Sequence, residues 1–254
     1  MVNKIQDLIY ALTFLTRLPV PMKIDFSEER AAHSMAYFPL IGILLGIILV
    51  FFDWLLSAIF PYKIVNVLIL IILTCMTGGL HLDGFMDTVD GLFSGRSKEK
   101  MIEIMHDSQV GAFGVIAFFL LFLLKYQALI YIAEVSRVSV LILMPTLSRW
   151  LIVFVAYKFP VNQFSKWGKK VNSFLGKKQF LLASVWILFV IFLLNFYLGF
   201  HYGQSLVTVL ICFVVFFVIC IRINNNLDGL TGDIYGFVNE LAEVIILLIF
   251  VAIL

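Results

Sequence analysis

Residues 37–60 read YFPLIGILLGIILVFFDWLLSAIF, an apolar run broken only by Asp53, which sits beside Trp54. A helix needs about 20 predominantly apolar residues to cross the hydrocarbon of a bilayer, and an acid next to a Trp reads as its water interface. Outward from this run the same pattern recurs from about Ile64 to Thr77-Gly78-Gly79, then over Gly111 to Ala133, Val138 to Tyr157, Phe180 to Phe200, Gln204 to Ile221 and Tyr235 to Leu254. The expected fold is therefore all-α, a polytopic transmembrane bundle of about seven spans.

Composition points the same way. The chain is 62% hydrophobic and 13% charged, with a mean hydropathy of +1.06, whereas soluble domains run near half apolar and a quarter charged. A water-soluble enzyme is excluded, and so are disordered and repeat architectures. Seven spans would use about 140 residues, leaving room for one integral membrane domain over 1–254 and little else. A net charge of +2 with dispersed Lys and Arg argues against nucleic acid as a partner. Cys75, Cys212 and Cys220 all fall in apolar runs and read as small hydrophobes.

Ahead of the spans, Ile5, Leu8, Ile9, Leu12 and Leu15 recur at helical spacing while Lys4, Gln6 and Asp7 fall elsewhere. This predicts an amphipathic interfacial helix over Asn3 to Arg17, ended by Pro19 and Pro21. A cleavable signal peptide is the rival, but the small-residue cleavage pattern is missing. Basic loops stay cytoplasmic. With the N-terminus inside, the inner segments hold fourteen Lys and Arg, namely Lys4, Arg17, Lys23, Arg30, Arg96, Lys98, Lys100, Lys158, Lys166, Lys169, Lys170, Lys177, Lys178 and Arg222, against Lys63 and Arg137 outside. That asymmetry predicts a cytoplasmic-membrane protein with its N-terminus inside and its C-terminus outside.

Both acidic clusters then fall on the inner side. The first is GGLHLDGFMDTVDG at 78–91. Asp83, Asp87 and Asp90, spaced i, i+4, i+7, share an arc of about 60° over about 10 Å of helix. Three carboxylates on one stripe need a compensating cation, and oxygen-only ligands point to a hard ion such as Mg²⁺ or Mn²⁺. The alternative is a solvated helix end, against which stand Leu80, Leu82, Phe85 and Met86 and the lack of a balancing Lys or Arg at i+4. A zinc site through His81 alone is weaker than a simple hydrogen-bonding role.

The second cluster, DGLTGDIYGFVNELAE at 228–243, opens the last span. In a helix starting near Asp233, Glu240 lies within about 20° and Glu243 within about 80° of it, two to three turns into apolar surroundings. Intramembrane acids are functional-site candidates by default, with structural pairing as the alternative. Arg149, about 12 Å deep in its span, is either a substrate clamp or a partner of Glu240 or Glu243. Lys125 carries the same ambiguity. The Lys-rich segment from Lys158 to Lys178 serves to anchor topology on anionic lipid, or to attract an anionic substrate. Acid stripes that hold divalent metal, with an Arg nearby, suit phosphoryl transfer on a diphosphate. No P-loop, nucleophile elbow, HExxH or CxxC pattern competes.

The stretches FLTRLPVP at 14–21, YFPLIG at 37–42, TGGLHLDGFMDTVDGL at 77–92, IMHDSQVGAFGV at 104–115 and LTGDIYG at 230–236 with Asn239-Glu240 together resemble the cobalamin (5′-phosphate) synthase family, the adenosylcobinamide-GDP ribazoletransferases. The resemblance implies a Mg²⁺-dependent membrane enzyme acting late in vitamin B12 assembly. It would join adenosylcobinamide-GDP to α-ribazole or its 5′-phosphate, the ribose 3′-hydroxyl attacking the phosphorus next to the cobinamide and GMP leaving. On that resemblance Asp83, Asp87, Asp90 and Asp233 are the metal-binding and catalytic acids. His81, Asp107, Ser108, Asn239 and Glu240, with Arg149 and Lys125, are placed against substrate. Two departures stand out: His106 and Gln109 occupy positions that are often basic in the family, and Asp228 one that is often Gly. They leave open how the Glu103 to Gly114 segment meets phosphate, and whether Asp228 is a ligand or a turn residue.

Two rivals remain in view. A CDP-alcohol lipid head-group phosphotransferase also sets Asp residues at helical spacing, but follows its first Asp-Gly with Ala-Arg, which Phe85-Met86-Asp87-Thr88 does not supply. A cation-coupled transporter needs polar groups reaching both faces. A second copy of the chain stays open as a partner, and a weak likeness between 81–85 and 226–230 hints at an internal repeat.

Overall fold

The computed structural model describes residues 2–22, 26–198 and 202–253. Lys23, counted above with the inner basic residues, and the expected span ends at Phe200 and Leu254 lie outside the described residues. The chain runs α1 (Val2–Leu15), α2 (Glu28–Ser34), a 3₁₀ turn (Met35–Tyr37), α3 (Phe38–Ser57), α4 (Tyr62–Thr77), α5 (Leu80–Phe93), α6 (Lys98–Met105), α7 (Ala112–Tyr131), α8 (Glu134–Lys158), α9 (Lys166–Phe174), α10 (Lys177–Leu198), α11 (Tyr202–Leu227) and α12 (Gly232–Ile253). Among the described residues, six helices are long and apolar enough to cross a membrane. The α4–α5 pair, bent by 92°, brings the number to as many as seven. The polytopic bundle expected from the apolar runs is thus the one observed.

Helix α8 is the axis of the bundle. Its apolar window is 89% buried, against 28% for α11 and 33% for α10, so α3 and α12 wrap α8 while α10 and α11 leave wide apolar faces outward, as lipid requires. The core joins Leu45 and Leu49 of α3, Leu147 and Leu151 of α8, and Val238 and Leu247 of α12.

Asp53, read as an interfacial acid, is also paired. Both its oxygens accept from Arg137 Nε, at 3.0 and 2.9 Å. Arg137 Nη2 also donates to Asn66 Oδ1 at 2.7 Å, and the guanidinium lies 4.3 Å from the Tyr62 ring centroid. This knot ties α3, α4 and α8 at the end of the bundle opposite α5. Arg137→Met leaves Asp53 without its cation and is expected to lower the thermal unfolding midpoint in detergent. The loss should correspond to about 3 kcal/mol, the usual cost of breaking a largely buried pair. Arg137→Met combined with Asp53→Asn should recover most of it.

Helix α1 also differs in part from the expected surface helix. Part of its apolar face is buried against the bundle, with Ala11 and Leu15 fully enclosed while Ile5 stays exposed, and Asp7 turns inward to Arg30 of α2 at 3.2 Å. Three short helices, α2, α6 and α9, lie in segments where no span was expected, and α2 packs between α1 and α9.

Candidate functional site

The site begins at a turn. Gly78 and Gly79 take φ of +64° and +72°, a left-handed region open to glycine, and there α5 leaves α4 at 92° to run across the end of the bundle rather than through it. It meets α12 at backbone contact. A Cβ on Gly84 would lie 2.8 Å from the Asp233 carbonyl oxygen, and one on Gly236 would lie 2.8 Å from that of His81. Any larger residue at either position forces the helices apart. Phe85 and Phe237 stack beside the crossing, ring centroids 5.6 Å apart.

This crossing unites the two acidic clusters. Burial, and then the charges of Asp83, Asp233 and Asp90, push the Asp87 carboxyl up to about 7. Asp233, in the first turn of α12, accepts a hydrogen bond from Thr231 Oγ1 at 3.3 Å and lies 4.0 Å from His106 Nε2. Among the described residues no Lys or Arg pairs with Asp83, Asp87 or Asp233. A crowd of carboxylates that raises its own proton affinity and lacks a protein cation fits a divalent ion. No three acidic, His or Cys side chains among the described residues are disposed to hold an ion unaided. Mg²⁺ takes one or two carboxylates and keeps water or substrate phosphate for its other positions.

Asp90 stands apart from the other acids. Its Oδ2 accepts from the Gly111 amide at 2.8 Å and its Oδ1 from the Gly114 amide at 2.9 Å. It therefore caps α7 from a neighbouring helix, where Gly111 offers no side chain of its own. Each Asp90 oxygen thus spends one lone pair on the cap and keeps another. Asp107 and Ser108 lie in the exposed loop between α6 and α7, with Asp107 Oδ1 accepting from the Gln109 amide at 3.0 Å.

Arg149, Lys125, Asn239 and Glu240, expected against substrate, instead form a closed network with Glu243. Lys125 Nζ donates to Glu240 and to Glu243, both at 2.6 Å. Arg149 pairs with Glu243 and donates to Ser148 Oγ at 2.9 Å, and Asn239 Nδ2 reaches Glu240 at 3.2 Å. Arg149 has no exposed surface, and the void beside the network measures about 20 Å³, room for about one water. Of the two roles open to Arg149, the structure contains the ion pair. An enclosed guanidinium paired with a carboxylate of the same chain favours that role over the clamp.

A cavity of about 300 Å³ opens beside the acids, bordered by Asp83 and Asp233 and roofed by α1, α2 and α9. His81 lines it and is 5% exposed. Neither residue pattern nor spacing pointed to the roof, since Tyr10 and Phe14 stand outside the Ile5, Leu8, Ile9, Leu12 and Leu15 stripe read from the sequence. Arg17 was likewise passed over, although its exposed side chain lies against Gly78 at the head of α5. Asp228 is a turn residue with φ +50°, paired with Lys98.

The cobalamin-5-phosphate synthase family model matches residues 7–251. The chain belongs to that family. Among curated relatives of this synthase-family chain, the adenosylcobinamide-GDP ribazoletransferase of Clostridium tetani is 34% identical over 254 residues, 98% of each chain. That of Desulfitobacterium hafniense is 35% identical over 241 residues, covering 94% of this chain and 93% of the relative. The Clostridioides difficile enzyme of the same name is 33% identical over 247 residues, 94% and 95% of the two chains. No solved structure matches the synthase-family chain.

Proposed function

We propose that the chain is a Mg²⁺-dependent adenosylcobinamide-GDP ribazoletransferase of the cytoplasmic membrane, with its acid site facing the cytoplasm. The observation that carries this reading is the backbone crossing of α5 and α12, with Asp83, Asp87 and Asp233 within electrostatic reach of one another and Asp83 and Asp233 beside a cavity. The relatives' names supply the substrates that such a site would serve.

In the reaction a ribose hydroxyl of α-ribazole attacks the phosphorus next to the cobinamide. A new P–O bond forms, the diphosphate P–O bond breaks, and GMP leaves with its electron pair. Asp83, Asp87 and Asp233 are the acids of which one or two would hold Mg²⁺, which when bound would neutralise the diphosphate and the departing phosphate. Asp83 and Asp233 also border the cavity, and either carboxylate can take the hydroxyl proton. His106 brings the α6–α7 loop to Asp233. Asp90 fixes that loop from the other side, so the segment that carries Asp107 and Ser108 is held at the site by its two ends.

The direct test is purified protein in liposomes with adenosylcobinamide-GDP, α-ribazole and Mg²⁺, followed by separation of corrinoid products. Formation of adenosylcobalamin and GMP that stops with EDTA and returns with Mg²⁺ is expected, and no corrinoid product under any divalent ion would overturn the reading. Sidedness is tested separately on a background without Cys75, Cys212 and Cys220. Lys98→Cys, Lys170→Cys and Asp228→Cys should label only from the cytoplasm, and Lys63→Cys and Gly203→Cys only from outside. Labelling of the 98 and 228 positions from opposite faces would break the shared site.

A further inference from the structure

The cavity beside the acids is built for something other than a phosphate. Among the described residues its wall contains no Lys or Arg, and its charged members are the two carboxylates at one edge. The rest is predominantly apolar and aromatic: Tyr10, Phe14 and Phe38 form a run of neighbouring rings, with centroids 6.3 and 6.0 Å apart along the series, and Tyr235 adds a fourth ring. Within this surface His81 is 5% exposed. Neither ring nitrogen has a hydrogen-bond partner among the described residues, and Nδ1 is fully enclosed. A buried polar group without a partner is costly, and here it belongs to the lining of an open space.

Size narrows the occupant. Ligand pockets run from about 300 to 1,000 Å³, and this one, at about 300 Å³, is at the lower limit. A corrinoid macrocycle is several times too large. A neutral bicyclic aromatic base with a single acceptor nitrogen matches the volume, the ring faces and the one unpartnered imidazole.

We infer that this cavity is the subsite for the benzimidazole base of the incoming nucleoside, with the His81 imidazole donating to the free ring nitrogen of the base. The inference rests on the ribazole-transfer reading given above and deepens it. It places the attacking nucleoside under the α1–α2–α9 roof, with its sugar toward Asp83 and Asp233, and leaves the larger corrinoid substrate outside.

The test uses the full chain in nanodiscs and equilibrium dialysis, so that binding is read whether or not turnover occurs. The probes are 1,5,6-trimethylbenzimidazole, whose methyl stands in for the sugar, and 1,5,6-trimethylindole, which lacks the acceptor nitrogen. The wild-type chain should bind the benzimidazole about tenfold more tightly than the indole, the worth of one buried hydrogen bond. His81→Phe should erase that preference. Ala156→Leu, which fills the opposite wall, should weaken both probes together and raise the KM for α-ribazole at least tenfold, leaving the KM for adenosylcobinamide-GDP within twofold. Equal binding of the two probes by the wild-type chain, no binding of either, or displacement of the benzimidazole by GDP would overturn the assignment. Selective probe binding in a chain that makes no corrinoid product would fail the transferase reading and leave the cavity assignment standing.

Discussion

Asp83→Asn, Asp87→Asn and Asp233→Asn should each cut turnover by about a hundredfold or more, on the scale at which even supporting residues of metal sites reach 10- to 100-fold, while the protein inserts and folds. Each change removes one carboxylate charge from a group of helix-borne acids that repel one another without a Lys or Arg partner among the described residues. Stability should move in the opposite direction from activity. Burial, and then the neighbouring carboxylates, push the Asp87 carboxyl up to about 7, so a neutral amide there relieves both costs and the unfolding midpoint in detergent should hold or rise. Asp90→Asn should behave differently. An amide cannot accept both the Gly111 and Gly114 N–H groups through its two terminal atoms, so the α7 cap is impaired at a cost of about 1 kcal/mol, with a smaller loss of turnover. Product separation and thermal unfolding on the same four preparations give both readouts. Near-normal turnover in all three site variants would return the stripe to a solvated helix end.

Arg149→Met should yield little folded protein. The network of Lys125, Arg149, Glu240 and Glu243 carries two positive and two negative groups, all buried. Removing one cation leaves an uncompensated carboxylate in the bundle, a change that costs about 3–5 kcal/mol. The partner matters: Arg149 pairs with Glu243, while Lys125 reaches both acids. Arg149→Met with Glu243→Gln leaves Lys125 opposite Glu240 alone, a balanced pair, and should restore the yield of folded protein in detergent extracts. A diphosphate clamp would produce another pattern, in which Arg149→Lys is made at normal levels and loses only affinity for adenosylcobinamide-GDP. That pattern would overturn the pairing.

The long helices were legible because lipid imposes a one-dimensional rule: an apolar run of sufficient length must be helical. Asp83 and Asp87 were legible for a related reason, since a stripe on a helix is fixed by the 3.6-residue turn. What adjoins the stripe was not. Gly84 and Gly236 read as ordinary small residues until the crossing of α5 and α12 gives them a purpose, and no periodicity within either segment encodes that crossing. Asp90 shares the face of Asp83 and Asp87, yet its partners are two amides more than twenty residues away. Arg149 and Lys125 were recognised as buried cations with a choice of roles, and only packing across α7, α8 and α12 decides between them. The short helices α2, α6 and α9 lack long apolar runs, so the roof of the cavity stayed out of view.

The small apolar cluster of Tyr10, Ala31, Ala32 and Val171 is separate from the main core and touches it through Leu175. Segments joined to the rest of a protein by so few buried groups open as a cooperative unit of their own, below the free energy of global unfolding. Amide exchange would therefore divide the molecule into a fast tier comprising α2 and α9 and a slow tier centred on α8 and α12. At the far end the Arg137 knot holds α3, α4 and α8 together, so excursions of the fast tier need not propagate along the bundle. The chain can expose the space beneath its roof while every membrane-crossing helix keeps its register.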